Sequence, residues 1–149
     1  MPEQIARLQR RFPQTNAEQL ARSQQAWDRL ARGISRLSAA GVKIGVGTDG
    51  GGQQGDQFIG WTMHAELENM VMAGIPTAKV LVAATRTSAE ILGQDDLGTV
   101  AAGKSADFVV LDANPLDDIT NTRKIASVYL RGAPVDRAKL RASFLAGRH

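Results

Sequence analysis

The chain lacks cysteine altogether and has only two histidines, His64 and His149, among its 149 residues. Without cysteine there is no disulfide framework, no thiolate metal site and no thiol nucleophile, so metal ligands must be oxygen or imidazole groups. No stretch approaches the roughly 20 apolar residues of a membrane-spanning helix. The N-terminus MPEQIARLQRRF has no apolar core of signal-peptide length. We therefore expect a soluble, cytoplasmic protein without a membrane partner.

A strong excess of one charge is also missing, because 18 Lys and Arg residues face 15 Asp and Glu residues, which gives a formal net charge of +3. Clustered arginines would neutralise the phosphates of a nucleic acid, but four arginines here share one side of a helical pattern, opposite an apolar stripe. The arginines are Arg22, Arg29, Arg32 and Arg36, and the stripe is Leu20, Trp27, Leu30, Ile34 and Leu37. This pattern is typical of a solvated helix face, so no nucleic-acid partner is expected.

Helical patterns dominate the first two thirds of the chain. Thr15 and Glu18 have the spacing of a capping box, which predicts a helix over about residues 16–40. Two further helices fit the apolar periodicity of residues 62–92. Glycine favours the left-handed conformation that ends a helix. The expected helix ends are Gly41, Gly74 and Gly93.

The pattern changes near Gln94, where short runs rich in β-forming residues replace the helical periodicity. Arg131 and Gly132 are typical of a hairpin tip, and the following VDRAKLRASFL predicts a last short helix. The sequence therefore predicts an α/β chain in two parts, residues 1–94 and residues 95–149.

The stretch GVKIGVGTDGGG, residues 41–52, joins a short apolar run to glycines around one acid, Asp49. Residues 42–47 fit a strand that is covered on both faces, as in a parallel sheet. Such a strand needs parallel neighbours, which residues 1–94 do not supply. We therefore expect it either to pair with a second copy of the chain or with a separate polypeptide, or to remain as an exposed edge.

Three interpretations of this glycine loop remain open on the residues alone. Gly45, Gly47 and Gly50 match the dinucleotide fingerprint G-x-G-x-x-G, but that fingerprint needs a helix at its third glycine and an acid ending the next strand. The acids at the right distance, Glu66 and Glu68, lie in a helical pattern instead. In the second interpretation the loop is a plain turn that Asp49 caps, a common role for aspartate beside glycine. In the third it is the end of a barrel strand that presents a functional carboxylate.

Three segments resemble, in order and spacing, the C-terminal part of the amidohydrolase superfamily, especially its imidazolonepropionase-like and dipeptidase-like members. They are GVKIGVGTDGGG, HAELENMVMAGIPTAKVLVAATRTSAEILG and LGTVAAGKSADFVVLDANPLDDI, and the resemblance covers about residues 25–135. It implies a metal-dependent hydrolase of carbon–nitrogen bonds in small-molecule substrates. It also implies a (β/α)8 barrel, of which this chain supplies the end, with residues 95–149 as strands of a small β-sandwich.

The resemblance also assigns candidate site residues. Strand 42–47 would be the eighth barrel strand, and Asp49 would be a ligand of a divalent metal, zinc in most such enzymes, as well as the acceptor of a proton from the hydrolytic water. The residues Gly47, Thr48 and Gly50 would shape the loop around it. His64 would be a substrate contact, although the helical spacing favours a simple pairing with Glu68 one turn on.

The chain also departs from the family pattern. The His-x-His pair, the carboxylated lysine or glutamate and the further histidines of the family have no counterpart here. A catalytic zinc needs about three protein ligands, so we expect the isolated chain to bind zinc weakly and to be inactive. The alternatives are a non-catalytic binding or assembly module derived from this fold and, remotely, a nucleotide-binding domain.

Overall fold

The computed structural model describes residues 16–49 and 60–146, which fall into two compact units that divide after Pro76. None of the helices in these described residues is long and apolar enough to span a membrane. The first unit contains helices α1 (Ala17–Ala39) and α2 (Trp61–Met72). The second contains α3 (Thr77–Val82), a π-helical turn (Ala83–Thr87), α4 (Ser88–Ile91), β1 (Phe108–Leu111), a 3-10 helix (Ile119–Arg123), β2 (Ile125–Leu130), β3 (Ala133–Pro134) and α5 (Arg137–Ala146).

Helix α1 begins one residue later than the predicted capping box implies. Its N-cap is Asn16, whose side chain accepts a hydrogen bond from the backbone N–H of Gln19 at 2.8 Å, while Gln19 Oε1 accepts one from the N–H of Asn16 at 3.2 Å. Asparagine is at least as good an N-cap as threonine, and Asn16 and Gln19 form the capping box, whereas Thr15 lies outside the described residues. Glu18 pairs instead with Arg22, one turn on, at 2.5 Å.

All three predicted helix ends are confirmed, and they share one geometry. At each end the glycine has a positive φ, and two backbone hydrogen bonds close the last turn in the pattern of a Schellman motif. After α1, for example, Gly41 has φ 80° and donates to Ser38 O, while Val42 N donates to Leu37 O at 3.1 Å. The same pairs of bonds occur at Gly74 and at Gly93.

The core of the first unit is small and lies on the second helix. Leu67, Met70 and Ile75 are buried, whereas α1 has no buried residue along its 23 positions. Leu30 is 70% exposed although it belongs to the apolar stripe. In the described part of the chain, a large part of the apolar stripe of α1 is therefore without cover. Most helical stability in proteins comes from packing such an amphipathic face.

The predicted strand over residues 42–47 requires a correction, because this segment has no strand assignment. A strand is defined by its ladder, and none of the strands among the described residues lies in this unit. The exposure still alternates with a period of two, since Ile44, Val46 and Thr48 are half-buried and the residues between them are exposed. That alternation is characteristic of an extended segment, so the residue pattern is that of a strand, although the described residues of this unit supply no second strand to pair with it.

A π-helical turn interrupts the helical run from Thr77 to Ile91. Two hydroxyls bond to carbonyls around it: Thr85 Oγ1 donates to Leu81 O at 2.8 Å, and Ser88 Oγ donates to Ala83 O at 2.7 Å. Single π turns inside α-helices are rare and often occur at functional sites. Here the turn also receives the following loop, because Gly98 packs directly against Thr85 and its neighbours.

The sheet of the second unit is antiparallel with the order β1-β2-β3. Phe108 faces Tyr129 across β1 and β2, and their rings stack with centroids 4.6 Å apart. The predicted hairpin tip is confirmed, since Arg131 and Gly132 join β2 to β3 with φ angles of 50° and 78°. Two positive φ angles in succession are what a two-residue type I′ turn requires. The predicted last helix is also confirmed, as α5.

The change from helical to β-forming patterns at Gln94 falls inside the second unit, because the loop after Gly93 packs back on the π-helical turn. The division into residues 1–94 and 95–149 therefore remains a prediction about the larger fold. What the structure describes is a mixed α/β chain with a small antiparallel sheet.

Acid should destabilise the second unit through Asp107. Its carboxylate accepts hydrogen bonds from Ser105 Oγ at 2.6 Å and from the N–H of Arg131 at 2.7 Å, and these bonds lower the pKa of Asp107 below its ordinary value. A lowered folded-state pKa adds stability above the unfolded pKa of about 3.9, and this stability is lost as pH falls through the folded-state pKa. Urea unfolding midpoints at decreasing pH measure the loss.

The variant Asp107→Asn should be less stable than the wild type at neutral pH and should lose less stability on acidification. Ser105→Ala is the matched control, because it removes the first of the two hydrogen bonds and leaves the carboxylate in place. Ser105→Ala should therefore show part of the loss of stability and part of the change in pH dependence that are expected for Asp107→Asn. Identical pH dependence in the wild type and in Asp107→Asn would contradict this assignment.

Candidate active site

The candidate site is centred on Asp49, at the end of the extended segment that follows α1. Asp49 has φ 49°, in the left-handed region, which Asp tolerates better than most residues because its short side chain bonds locally. The residue is exposed, whereas Thr48 before it is half-buried. The chain therefore turns at Asp49 and leaves this residue open to solvent, while residues 50–59 lie outside the described residues.

His64 lies in the first turns of α2 and is half-buried. The N-cap of this helix is Gly60, with φ 88° and no side-chain cap, and its first turn has no acidic residue. Both His64 and Glu68 make interactions within the structure. Their mutual pairing, one turn apart, remains a prediction, as does contact between His64 and a substrate.

The dinucleotide interpretation receives no support from the placement of the two acids. Glu66 and Glu68 lie within α2 and not at the end of a strand, so the ribose-binding acid of that fingerprint has no counterpart at the expected distance. The next described helix after the glycines begins at Trp61, whereas the fingerprint has its helix begin at the third glycine; that glycine, Gly50, lies outside the described residues.

A metal centre is not assembled by the described residues alone. Within residues 16–49 and 60–146, no group of three or more histidine, aspartate or glutamate side chains could hold a metal ion. A catalytic zinc uses about three protein ligands and an open position, and Asp49 offers one carboxylate. The donor set therefore does not fit a complete zinc site, and the structure does not bring Asp49 and His64 together with a third ligand.

Two further features of the described residues, one in each unit, were not predicted from the sequence. One is an apolar groove between α1 and α2 with a volume of about 220 Å³. The other is the π-helical turn at Ala83–Thr87. The apolar stripe of α1 indicates a helix face that packs against another element, but it does not predict a groove, and periodicity gives no sign of the π-helical turn.

Comparison with known proteins connects these features to one family. The model of the amidohydrolase family matches residues 1–135. A 5-methylthioadenosine/S-adenosylhomocysteine deaminase from Desulforudis audaxviator is 38% identical over 104 residues, which are 64% of this chain and 24% of that protein. The deaminase of the same name from Moorella thermoacetica is 31% identical over 134 residues, 80% of this chain and 31% of that protein.

Solved structures lead to the same family. Molinate hydrolase superposes with a TM-score of 0.63 at 33% identity, over 72% of this chain and 26% of that one. A Xaa-Pro dipeptidase with methionine bound in its active site superposes with a TM-score of 0.60 at 31% identity, over 72% of this chain and 25% of that one. The chain thus spans only 24–31% of the length of these four proteins, and it belongs to the amidohydrolase family.

Proposed function

We propose that the chain is the C-terminal part of a metal-dependent amidohydrolase that hydrolyses carbon–nitrogen bonds in small molecules. It would supply the last helix–strand–helix units of a (β/α)8 barrel, followed by strands of a small β-sandwich. The observation that carries the proposal is the order of elements around Asp49: a long helix, an extended segment with alternating exposure, an exposed acid in a left-handed turn, and then a helix. The family match over residues 1–135 supports it.

In this proposal Asp49 has two roles, metal ligand and acceptor of a proton from the attacking water. A carboxylate beside the reacting water can take its proton and later deliver it to the leaving amine. Functional residues of a barrel stand at the C-terminal ends of its strands, which is the position of Asp49 relative to residues 42–47. Gly47, Thr48 and Gly50 would set the path of the loop, and His64 would contact the substrate.

The remaining ligands would come from another polypeptide or from a longer version of this chain. Zinc is the proposed metal because the resemblance to this family implies it, and its oxygen and imidazole ligands do not require cysteine. The incomplete ligand set of the described residues also explains why a partner is proposed. Self-association, or pairing with a polypeptide that supplies the rest of the barrel, would cover the extended segment.

The isolated chain should therefore contain little zinc and should hydrolyse neither amides nor dipeptides. The purified chain would be dialysed against zinc, its metal content measured, and its hydrolytic activity assayed with and without a second polypeptide that carries the first three quarters of a relative such as the Xaa-Pro dipeptidase. We expect activity only in the mixture. Stoichiometric tight zinc and Asp49-dependent turnover in the chain alone would overturn the proposed division of ligands.

The absence of a complete ligand cluster from the described residues favours a second candidate, a non-catalytic binding or assembly module derived from the same fold. The genomic reading frame upstream separates the two. A contiguous frame that encodes the earlier barrel strands with a His-x-His pair supports the enzyme, and a frame without them supports the module.

A further inference from the structure

Helix α5 presents large apolar and basic residues on one face. Leu140, Phe144 and Leu145 are 49%, 77% and 62% exposed. Together with Arg137 and Arg141 they line a shallow hollow of about 370 Å³. The helix carries three basic residues and no acid. This face therefore matches a surface that is apolar in its centre and acidic at its edge.

The groove between α1 and α2 has these properties. The residues that line it are Trp27, Leu30, Ala31, Ile34, Glu66, Asn69, Met70 and Ala73. Glu66 is the one charged residue among these eight, and α2 as a whole contains two glutamates and no lysine or arginine. The arginines of α1 lie on the side of that helix away from the groove, since they are opposite the stripe that lines it.

We propose that α5 of one copy of the chain lies in the α1–α2 groove of a second copy. Amphipathic helices bind apolar grooves through anchors at positions i, i+3, i+4 and i+7, and Leu140 and Phe144 have the i, i+4 spacing. Arg141, one residue beyond Leu140 on the same face, is placed to meet Glu66 at the rim. A guanidinium also stacks well on an indole, which gives Trp27 a role at the other side of the groove.

Charge favours a second copy over an unrelated occupant. The acidic helix α2, with Glu66 and Glu68, and the basic helix α5, with Arg137, Lys139 and Arg141, belong to the same sequence, so each copy carries both halves of a complementary pair. Like charges that meet in an interface disfavour wrong partners, while opposite charges set partner and register. This inference concerns the chain as it exists and does not depend on the proposed hydrolase function.

The absence of cysteine makes the contact testable by disulfide trapping. Two variants, Leu30→Cys and Phe144→Cys, would be purified separately, mixed and oxidised. We expect a mixed disulfide dimer, identified by mass spectrometry. The control replaces the first partner with Arg32→Cys, which lies about 200° around α1 from Leu30 and should give much less of the mixed product. The proposal would be overturned if Leu30→Cys and Arg32→Cys gave equal amounts of the mixed disulfide with Phe144→Cys, or if Leu30→Cys gave none.

Charge reversal gives an independent readout that a loss of folding cannot imitate. Glu66→Arg alone, or Arg141→Glu alone, should weaken self-association about tenfold or more, measured by sedimentation equilibrium. A mixture of the two variants should associate again, because the reversed charges now meet across one groove. A wild-type chain that stays monomeric at micromolar concentration, or reversed variants whose mixture is no stronger than either alone, would sink the assignment.

Discussion

Replacing Gly98 with alanine should lower the free energy of unfolding of the second unit by about 3 kcal/mol. A Cβ at this position would lie 2.8 Å from Ala89 Cβ, 2.8 Å from Arg86 Cα and 2.9 Å from Thr85 O. Two of these atoms are backbone atoms of the helical run and cannot rotate away. Gly98 also has φ 81°, a conformation that adds strain for any residue with a side chain.

Gly103 supplies a matched control for the crowding. It has the same φ of 81°, but nothing lies within 4 Å of a Cβ built on it. Gly103→Ala should therefore show the backbone strain alone, about 1 kcal/mol, and the difference between the two variants measures the close packing of the loop on the π-helical turn. The loss in free energy of unfolding of each variant is measured by urea unfolding monitored by circular dichroism and by amide hydrogen exchange of β2. Equal effects at the two glycines would mean that the loop does not press on the helix.

The second large effect is expected at Asp49 in a complete enzyme. A chimera would carry the first three quarters of the Xaa-Pro dipeptidase followed by this chain from about residue 25, since the two superpose over 72% of this chain. We expect the chimera to hydrolyse the dipeptides of its parent. Asp49→Asn should then reduce kcat about 10³-fold, because general base catalysis contributes about 10² to 10⁴.

Asparagine keeps the size of the side chain and removes the basic oxygen, so the chimera should still fold and bind substrate. Asp112→Asn, which changes an exposed acid at the end of β1, is the control and should leave kcat unchanged. An active chimera that tolerates Asp49→Asn would show that the acid is a turn residue and would remove the main support for the catalytic assignment. Metal content measured on each variant separates loss of the ligand from loss of the proton acceptor.

Elements that depend on local chemistry were predicted well from the sequence. The Schellman ends at the three glycines, the hairpin at Arg131 and Gly132 and the last helix all follow from residues close together in the chain. The π-helical turn was missed because apolar periodicity does not signal it: it is accompanied by hydrogen bonds from the hydroxyls of Thr85 and Ser88 to nearby carbonyls and by the packing of the following loop on it.

Pairing between distant segments was the harder problem. Residues 42–47 have the composition of a buried strand, but a ladder needs a second strand, and the described part of this unit holds none. The need for distant segments also limits how much of the candidate site the sequence predicts. The position of Asp49 at the end of an extended segment follows from its own neighbours, whereas the other groups of the proposed metal centre would come from strands that only a larger fold brings close.

The distribution of aromatic residues between the two units has a practical consequence for spectroscopy. Both tryptophans, Trp27 and Trp61, lie in the first unit, and the single tyrosine, Tyr129, lies in the second. Tryptophan fluorescence excited at the red edge of the tryptophan absorption band therefore reports on the first unit alone. The near-ultraviolet circular dichroism of the stacked Phe108–Tyr129 pair reports on the sheet. One unlabelled sample can thus reveal whether the two units unfold together or one after the other.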